Sequence, residues 1–159
     1  LHQENLDRLA IASPDVGGVK TARAYATRLD ADLVVVDKRR PAHNVAEVMH
    51  IIGDVQNKNV IIVDDLIDTG STFVKCAEAL KNKGADRIIG VCTHAVFSGA
   101  AIEKINQSDA VSKVFVTDTI PPHWDSPKIE IISIAELLAE AIVRTHENAS
   151  ISSLFEIIR

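Results

Sequence analysis

Six short apolar runs, each rich in valine and isoleucine, limit the folds that this chain can adopt. They lie at residues 8–13, 32–37, 59–64, 87–92, 113–118 and 129–134. Most are apolar throughout and do not alternate, which is typical of strands in a parallel sheet covered on both faces. Helical patterns separate them, at residues 18–29, 71–83, 99–106 and 134–147. This alternation predicts an α/β fold with a doubly wound, mostly parallel sheet and right-handed crossovers.

One segment, residues 38–58, interrupts the rhythm. It opens with the basic run Lys38, Arg39 and Arg40 and fits neither a clean helix nor a clean strand. We expect a flexible loop or hairpin insertion with a strand pair around residues 46–55. Long irregular insertions in compact domains often carry function.

The last helical pattern is the clearest. Ser133 and Glu136 have the spacing of a capping box. An apolar stripe at helical spacing accompanies it, and its members are Ile134, Leu137, Leu138, Ala141 and Ile142.

Length and composition exclude several classes of protein. A chain of 159 residues fits one domain, residues 1–159. A net charge of −5 and an aromatic content of 4% argue against a nucleic-acid binder, and the charge argues against an anionic membrane surface. No apolar run is long enough to span a bilayer. Cys76 and Cys92 form no C-x-x-C pair and are expected to be buried free thiols of a cytoplasmic protein.

The third apolar run leads directly into acidic residues, in the sequence VIIVDDLIDTGST at residues 60–72. Ligands of open α/β sheets bind beyond the carboxyl ends of the strands, where Asp64, Asp65 and Asp68 are expected. Carboxylates there can accept hydrogen bonds from sugar hydroxyls or hold a hydrated Mg²⁺.

A turn rich in glycine and hydroxyl groups follows and opens a helix. It consists of Thr69, Gly70, Ser71 and Thr72. Free N–H groups at a helix N-terminus favour an anion, so the turn predicts a phosphate cradle. Acids and cradle together fit a phosphorylated sugar. The alternative is that Asp68 or Thr69 only caps the helix and that the preceding acids are ordinary charges at a strand end.

A second loop joins the first strand to the first helix through Asp15, Val16, Gly17 and Gly18. It is either a plain turn or a diphosphate loop. In the second interpretation, the glycine pair permits close backbone approach and Asp15 acts on Mg²⁺ through water.

The motif at residues 60–72 resembles the ribose-phosphate loop of the type I phosphoribosyltransferase fold. Other segments resemble one family with that fold, the ribose-phosphate diphosphokinases or phosphoribosyl pyrophosphate synthetases. They are SPDVGGVKTARAYA, DKRRPAHNVAEVMHIIGDV, THAVFSG, VTDTIP and AEAIVRTHENASISSLF, in this order over nearly the whole chain. The resemblance is to the C-terminal of two tandem domains, so the N-terminal half, with most of the ATP site, is expected to be absent here.

The resemblance implies transfer of the β,γ-diphosphoryl group of ATP to the C1 hydroxyl of ribose 5-phosphate, with Mg²⁺, for nucleotide biosynthesis. It implies that residues 68–72 bind the 5-phosphate and that Asp64 and Asp65 hold the ribose hydroxyls. Lys38 and Arg40 would be catalytic cations on a lid. Ser71 stands where the family has glycine, which leaves phosphate binding intact if its φ is negative.

The C-terminal segment is, on its own, a frayed end with apolar anchors. The resemblance implies that Ser150, Ser152 and Phe155 line a regulatory site for phosphate or ADP between the subunits of a hexamer. We expect the isolated chain to bind ribose 5-phosphate without turnover. Two alternatives stay open: a phosphoribosyltransferase, which would need a hood for a base, and a non-catalytic regulatory homologue.

Overall fold

The computed structural model describes residues 8–39 and 48–155. Within them, strands and helices alternate as the apolar runs predict. The strands are β1 (Leu9–Ser13), β2 (Asp32–Arg39), β3 (Val48–Ile52), β4 (Asn59–Ile67), β5 (Arg87–Ala95), β6 (Lys113–Thr117) and β7 (Ile129–Ile132). The helices are α1 (Val19–Leu29), α2 (Ser71–Asn82), α3 (Ala101–Gln107) and α4 (Ala135–His146), followed by a 3₁₀ turn at Ser152–Phe155.

The strands form one sheet in the order β3-β2-β1-β4-β5-β6-β7. All neighbours are parallel except β2 and β3, which are antiparallel. The chain therefore winds outward in both directions from the β1/β4 pair. The predicted fold class, a mostly parallel α/β sheet, is confirmed.

Helices cover both faces of the sheet centre, which explains why its strands are apolar throughout. On one face, Ala22 and Ala26 of α1 pack against Ile11 and Ile61. On the other face, α2 and α3 cover the sheet, and the packed helix residues include Phe73, Cys76, Ala77, Leu80, Ala101 and Ile105. Glycine is required at Gly90, because a Cβ there would lie 2.5 Å from Phe73 Cζ.

The insertion forms a hairpin, although not the strand pair expected around residues 46–55. β3 pairs with β2 itself, from Val35 opposite Ile52 to Arg39 opposite Val48. β2 is thus two residues longer than the predicted run and continues past its last β1 partner, Ser13 opposite Val35. The expected pair was wrong because half of it is the extension of an existing strand.

Helix α4 differs from the prediction in its start. Ile134 is its N-cap and no side chain caps it, so the capping box is not formed. Instead, Asp118 accepts a hydrogen bond from the Ile134 N–H, and the Ser133 hydroxyl accepts one from Ala135 N. The predicted apolar stripe is present but largely exposed, and Ile142 retains 69% of its accessible surface.

The two cysteines are buried and free, as predicted. Burial, followed by the nearby negative charge of Asp64, raises the pKa of both Cys76 and Cys92 to about 12. These thiols are therefore inert core residues. Over residues 8–39 and 48–155, none of the helices has both the length and the apolar character that crossing a bilayer requires.

Candidate functional site

The candidate site lies where the strand order reverses, between β1 and β4. β1 pairs with β4 only as far as Ala12 opposite Ile62. β4 continues to Ile67 along β5, so its carboxyl end lacks a neighbour on the β1 side. Crevices at such switch points are the usual ligand sites of open α/β sheets.

Two adjoining cavities occupy this crevice. The larger has a volume of about 400 Å³ and the smaller about 280 Å³. Of the predicted site residues, the larger is lined by Asp15, Asp64, Asp65, Asp68, Thr69, Gly70 and Thr72. Gly17 and Gly18 line the smaller one, to which Asp15, Asp64 and Asp65 also contribute. The two predicted loops therefore face one crevice, with three carboxylates where they meet.

The β4–α2 connection, residues 68–70, presents an uncapped helix N-terminus to the larger cavity. Gly70 is the N-cap of α2, and no side chain caps this end. The alternative in which Asp68 or Thr69 caps the helix is therefore wrong. Gly70 has φ +71°, and an added Cβ would lie 3.3 Å from Ala101 O. A left-handed backbone in tight contact explains the need for glycine at this position.

Ser71 is placed differently from the rest of the turn. It is the first residue of α2, and its φ is not positive. Serine can therefore stand at this position, where the family has glycine. Its hydroxyl accepts a hydrogen bond of 2.8 Å from Lys104 Nζ and does not line the described cavities. Ser71 can therefore offer a ligand its backbone N–H, while its side chain is engaged behind the turn.

The β1–α1 connection, residues 14–18, is held by its own side chains. Asp15 Oδ1 accepts a hydrogen bond of 2.9 Å from Gly18 N, and the Ser13 hydroxyl donates to Asp15 O at 2.7 Å. A Cβ on Gly18 would lie 2.7 Å from Ser13 Oγ, so glycine is required there by internal contact. Asp15 thus stabilises the turn and faces both cavities.

Burial and neighbouring carboxylates shift the titration of Asp64 in this crevice. Asp64 is half-buried, and this burial raises its pKa to about 6, with the charges of Asp65 and Asp15 adding to the effect. The Asp65 N–H, which donates to Asp64 Oδ1 at 3.0 Å, opposes the shift only in part. A cation or hydroxyl donors in the crevice would relieve this repulsion.

Chemically, the acids fit a hydrated Mg²⁺ better than a fully protein-bound metal. Carboxylate oxygens are the hard ligands that Mg²⁺ prefers, and the ion commonly keeps several waters and uses one or two carboxylates. In the described ranges, no three His, Cys, Asp or Glu side chains lie close enough to hold an ion directly. Asp15, Asp64 and Asp65 are the candidates for water-mediated contact.

The hydrogen bonds that support the β4–α2 connection from behind were not predicted from the sequence. The β5–α3 segment, residues 96–104, supplies them. Ser98 donates its hydroxyl to the Asp68 carboxylate, and Lys104 Nζ contacts Thr69 O at 3.0 Å. A usable signal existed, because the loop after β5 must emerge at the same sheet edge as the loop after β4.

Two predicted cations cannot be placed at the crevice. Lys38 pairs with Met49 at the carboxyl end of β2, on the hairpin, and only its backbone is described. Arg40 lies outside the described residues. Within the described residues, neither cavity is lined by lysine or arginine.

The predicted regulatory residues lie beyond α4. Ser152 N donates to Ser150 Oγ at 3.2 Å, and the side chain of Phe155 is 73% exposed. Arg144 of α4 holds this segment by donating to Ser150 O at 3.3 Å and to the Ser153 hydroxyl. The segment is therefore docked on α4 through one guanidinium group.

Solved structures support the fold. A phosphoribosylpyrophosphate synthetase from Mycobacterium smegmatis superposes with a TM-score of 0.82 at 32% identity, over 90% of this chain and 46% of that one. An adenine phosphoribosyltransferase from Thermoanaerobacter pseudethanolicus has a TM-score of 0.51 at 25% identity, over 71% of each chain. The sheet and its crevice are thus of the phosphoribosyltransferase type.

Sequence relatives agree with this assignment. A ribose-phosphate pyrophosphokinase from Wolinella succinogenes is 53% identical over 152 residues, which cover 96% of this chain and 49% of the relative. One from Thermotoga maritima is 50% identical over 157 residues, covering 98% of this chain and 50% of the relative. The chain spans about half the length of these relatives. The sequence model of the phosphoribosyl synthetase-associated domain matches residues 37–156, which include the β4–α2 side of the crevice but not the β1–α1 connection, and the chain belongs to that family.

Proposed function

We propose that this chain carries the ribose 5-phosphate half-site of a ribose-phosphate diphosphokinase. That enzyme transfers the diphosphoryl group of ATP to the C1 hydroxyl of ribose 5-phosphate and forms phosphoribosyl pyrophosphate and AMP for nucleotide biosynthesis. The isolated chain binds the sugar phosphate without turnover. The observation that carries the proposal is one crevice in which an uncapped helix N-terminus adjoins three carboxylates.

The two parts of the crevice suit the two ends of the substrate. The free N–H groups of Gly70 and of the first turn of α2, together with the partial positive charge of that helix end, take the 5-phosphate. The carboxylate of Asp68 is already bound by the Ser98 hydroxyl, so it positions the turn and leaves the phosphate to the N–H groups.

The acidic pair takes the ribose hydroxyls. An ionised carboxylate is an acceptor only, so Asp64 and Asp65 match O–H donors and reject a second phosphate. With its pKa raised to about 6, Asp64 is mostly ionised at neutral pH and accepts from the sugar. Lower pH would convert it into a donor and weaken this match.

Mg²⁺ would be held through water by Asp15 and by the acidic pair, the three residues that line both cavities. When bound, the ion neutralises charge on the transferring diphosphate. The residues of this chain supply the oxygen atoms that orient its waters. Burial is the main cause of the raised Asp64 pKa, and the charges of Asp65 and Asp15 add to it. A cation beside these carboxylates would relieve the repulsion among them, which supports this assignment.

Cations for the diphosphate must come from outside the two described cavity linings, which contain acids and neutral residues. Lys38 lies on the strand β2, which extends past the carboxyl end of β1 into the hairpin, and Arg40 follows this strand in the sequence. Closing such a hairpin over the crevice would bring positive charge to the developing negative charge of phosphoryl transfer. We therefore assign Lys38 and Arg40 as the catalytic cations.

The phosphoribosyltransferase alternative is less favoured. A phosphoribosyltransferase would use the same loop to bind phosphoribosyl pyrophosphate, the product of the diphosphokinase. The superposition on the synthetase is closer, however, with a TM-score of 0.82 against 0.51.

The main proposal includes a regulatory site. Ser150, Ser152 and Phe155 bind a regulatory phosphate or ADP in a homo-oligomer. Arg144, which donates to Ser150 O, and the exposed Phe155 ring support this, since phosphate needs a cation and the adenine ring of ADP needs an apolar surface.

Calorimetric titration of ribose 5-phosphate with Mg²⁺ tests the half-site. We expect saturable binding to the wild-type chain and its loss in the Asp64→Asn/Asp65→Asn variant. ATP added with the sugar phosphate should release no AMP, because this chain spans about half the length of its relatives and we assign most of the ATP site to the other half of those proteins. Phosphoribosyl pyrophosphate with a purine base should likewise show no transfer.

A matched control removes the same charge elsewhere. Asp86 and Asp109 precede β5 and β6, so they lie at the amino ends of the strands, whereas the crevice lies at the carboxyl ends. The Asp86→Asn/Asp109→Asn variant should bind like the wild type. A folded wild-type chain that gives no heat, or a control variant that loses binding equally, would contradict the half-site. AMP release by the chain alone would contradict the inactivity.

A further inference from the structure

Three successive carbonyl groups at the end of β4 point toward the β5–α3 segment. Ile67 O accepts from Phe97 N and Asp68 O from Ser98 N, each at 3.0 Å. Thr69 O accepts from Lys104 Nζ, also at 3.0 Å. Carbonyls alternate in direction along an extended strand, so three on the same side indicate that the chain curls here.

The direction of these carbonyls fixes the direction of the next N–H groups. The described peptide bonds are all trans. In a planar trans peptide, the C=O and the following N–H point in opposite directions. The N–H groups of Asp68, Thr69 and Gly70 must therefore point away from the β5–α3 segment, and these three residues line the larger cavity.

These N–H groups are available to a ligand. Within the described part of the chain, no acceptor partners the N–H of Thr69 or of Gly70. The first turn of α2 is also free of side-chain caps. Successive unpaired N–H groups in a curled backbone form an anion-binding nest.

Lys104 differs from the other two donors because it is a side chain and carries charge. Its half-buried ammonium group bridges the carbonyl before the N-cap and the Ser71 hydroxyl at the first residue of α2, at 3.0 and 2.8 Å. It thereby fixes the peptide between Thr69 and Gly70 from behind. It also places a positive charge behind a cavity whose described lining contains four aspartates.

We propose that Lys104 is a positioning residue for phosphate, and that the β5–α3 segment imposes the inward direction of the N–H groups in the β4–α2 connection. This inference rests on the proposed function for the identity of the ligand. Lys104 acts through the Thr69–Gly70 peptide and does not touch the sugar phosphate.

Titrations of ribose 5-phosphate into Lys104 variants test this role. Lys104→Met removes the donors and the charge while keeping the aliphatic stem, and should weaken binding about tenfold, the effect of one charge-assisted hydrogen bond. Lys104→Arg retains charge and donors and should recover most of the affinity. Lys83→Met, at the far end of α2, removes the same charge and should bind like the wild type.

A second readout needs no sugar. In amide NMR spectra of the ligand-free chain, Lys104→Met should shift the Thr69, Gly70 and Ser71 resonances and leave those of Gly53 and Gly84 in place. Inorganic phosphate should shift the same three amides in the wild type and less in the variant. If Lys104→Met shows no cooperative thermal unfolding, Lys104→Gln is used in its place, because it removes the charge but keeps an amide donor.

The outcomes separate the two proposals. Absence of ribose 5-phosphate binding to the wild type would overturn the proposed function, while the ligand-free amide shifts would still decide the role of Lys104. Wild-type binding that Lys104→Met retains in full would overturn only the positioning role. An unchanged Gly70 amide in Lys104→Met would overturn it as well.

Discussion

Helices α2 and α4 have the same length and similar apolar stripes, yet the structure uses them in opposite ways. In α2, Phe73 and Leu80 are 2% and 0% exposed and pack on the sheet. In α4, Leu138 and Ile142 are 52% and 69% exposed, and no residue of that helix is buried. The comparison shows that an amphipathic pattern identifies which face of a helix is apolar, but not what covers it.

The N-termini of the two helices also differ, in whether a side chain of the protein binds their backbone N–H groups. α2 begins with an uncapped N-terminus facing the crevice, and the nearby carboxylate of Asp64 has a raised pKa. α4 begins with a backbone N–H bonded to Asp118, whose pKa is lowered by the Ser133 hydroxyl and that N–H. The first start retains unsatisfied groups for a ligand, and the second satisfies them internally.

The largest expected effect separates the two apolar stripes. Leu80→Ala should lower the free energy of unfolding by about 2–5 kcal/mol, because it leaves a cavity in a closed core. Leu138→Ala deletes the same atoms from α4 and should change it by no more than about 0.5 kcal/mol. Urea unfolding of both variants measures the difference. Equal losses of unfolding free energy would mean that the apolar face of α4 is covered in solution, which would contradict the difference between the two helices.

The next effect concerns the acid before α2. The raised pKa of Asp64 means that the native state binds more protons than the unfolded state between pH 3.8 and about 6, so stability falls as pH rises through this window. Asp64→Asn removes this penalty and should stabilise the chain by about 1 kcal/mol at pH 7, after allowance for solvent screening of a half-buried group.

The gain should shrink as pH falls toward 4, where Asp64 is protonated in both states. Unfolding midpoints measured from pH 4 to pH 8 for the wild type and for Asp64→Asn check this slope. Asp86→Asn is the control for removing one negative charge. A constant difference between the curves would contradict the assignment of the titration to Asp64.

The smallest effect concerns the acid before α4. The lowered pKa of Asp118 contributes stability that is present above its ordinary value of 3.8 and is lost as pH falls through the folded-state pKa. Asp118→Ala should therefore lose stability at pH 7 and converge on the wild type in acid, with the opposite slope to Asp64→Asn. Unfolding at pH 2 to 5 measures it, and parallel curves would contradict the cap.

Much of the fold could be predicted because its signals are local. Valine- and isoleucine-rich runs indicated six strands, and the seventh strand, β3, was expected within the insertion as part of a strand pair. Strand pairing explains the boundary error in β4. β4 extends to Ile67, beyond the predicted residue 64, because its pairing with β5 continues after its apolar run ends.

The crevice could be predicted from one contiguous stretch of sequence, whereas its support depends on the order of the strands in the sheet. The acids and the glycine turn are contiguous in sequence, so their chemistry could be interpreted together. Ser98 and Lys104 lie thirty or more residues away, in hydrogen bonds with Asp68 and Thr69 that only the sheet order brings about. No local pattern distinguishes Lys104 from the other exposed or half-exposed lysines of the chain.

The sequence by itself determined the alternation of strands and helices, the acidic strand end and the glycine turn that follows it, because each depends on neighbouring residues. Only the tertiary structure decided that α2 is buried while α4 is exposed, that β2 extends into the hairpin, and that the carbonyls of the β4–α2 connection are held from behind. These features depend on which elements become neighbours across the sheet, and that is set by packing among residues far apart in the chain.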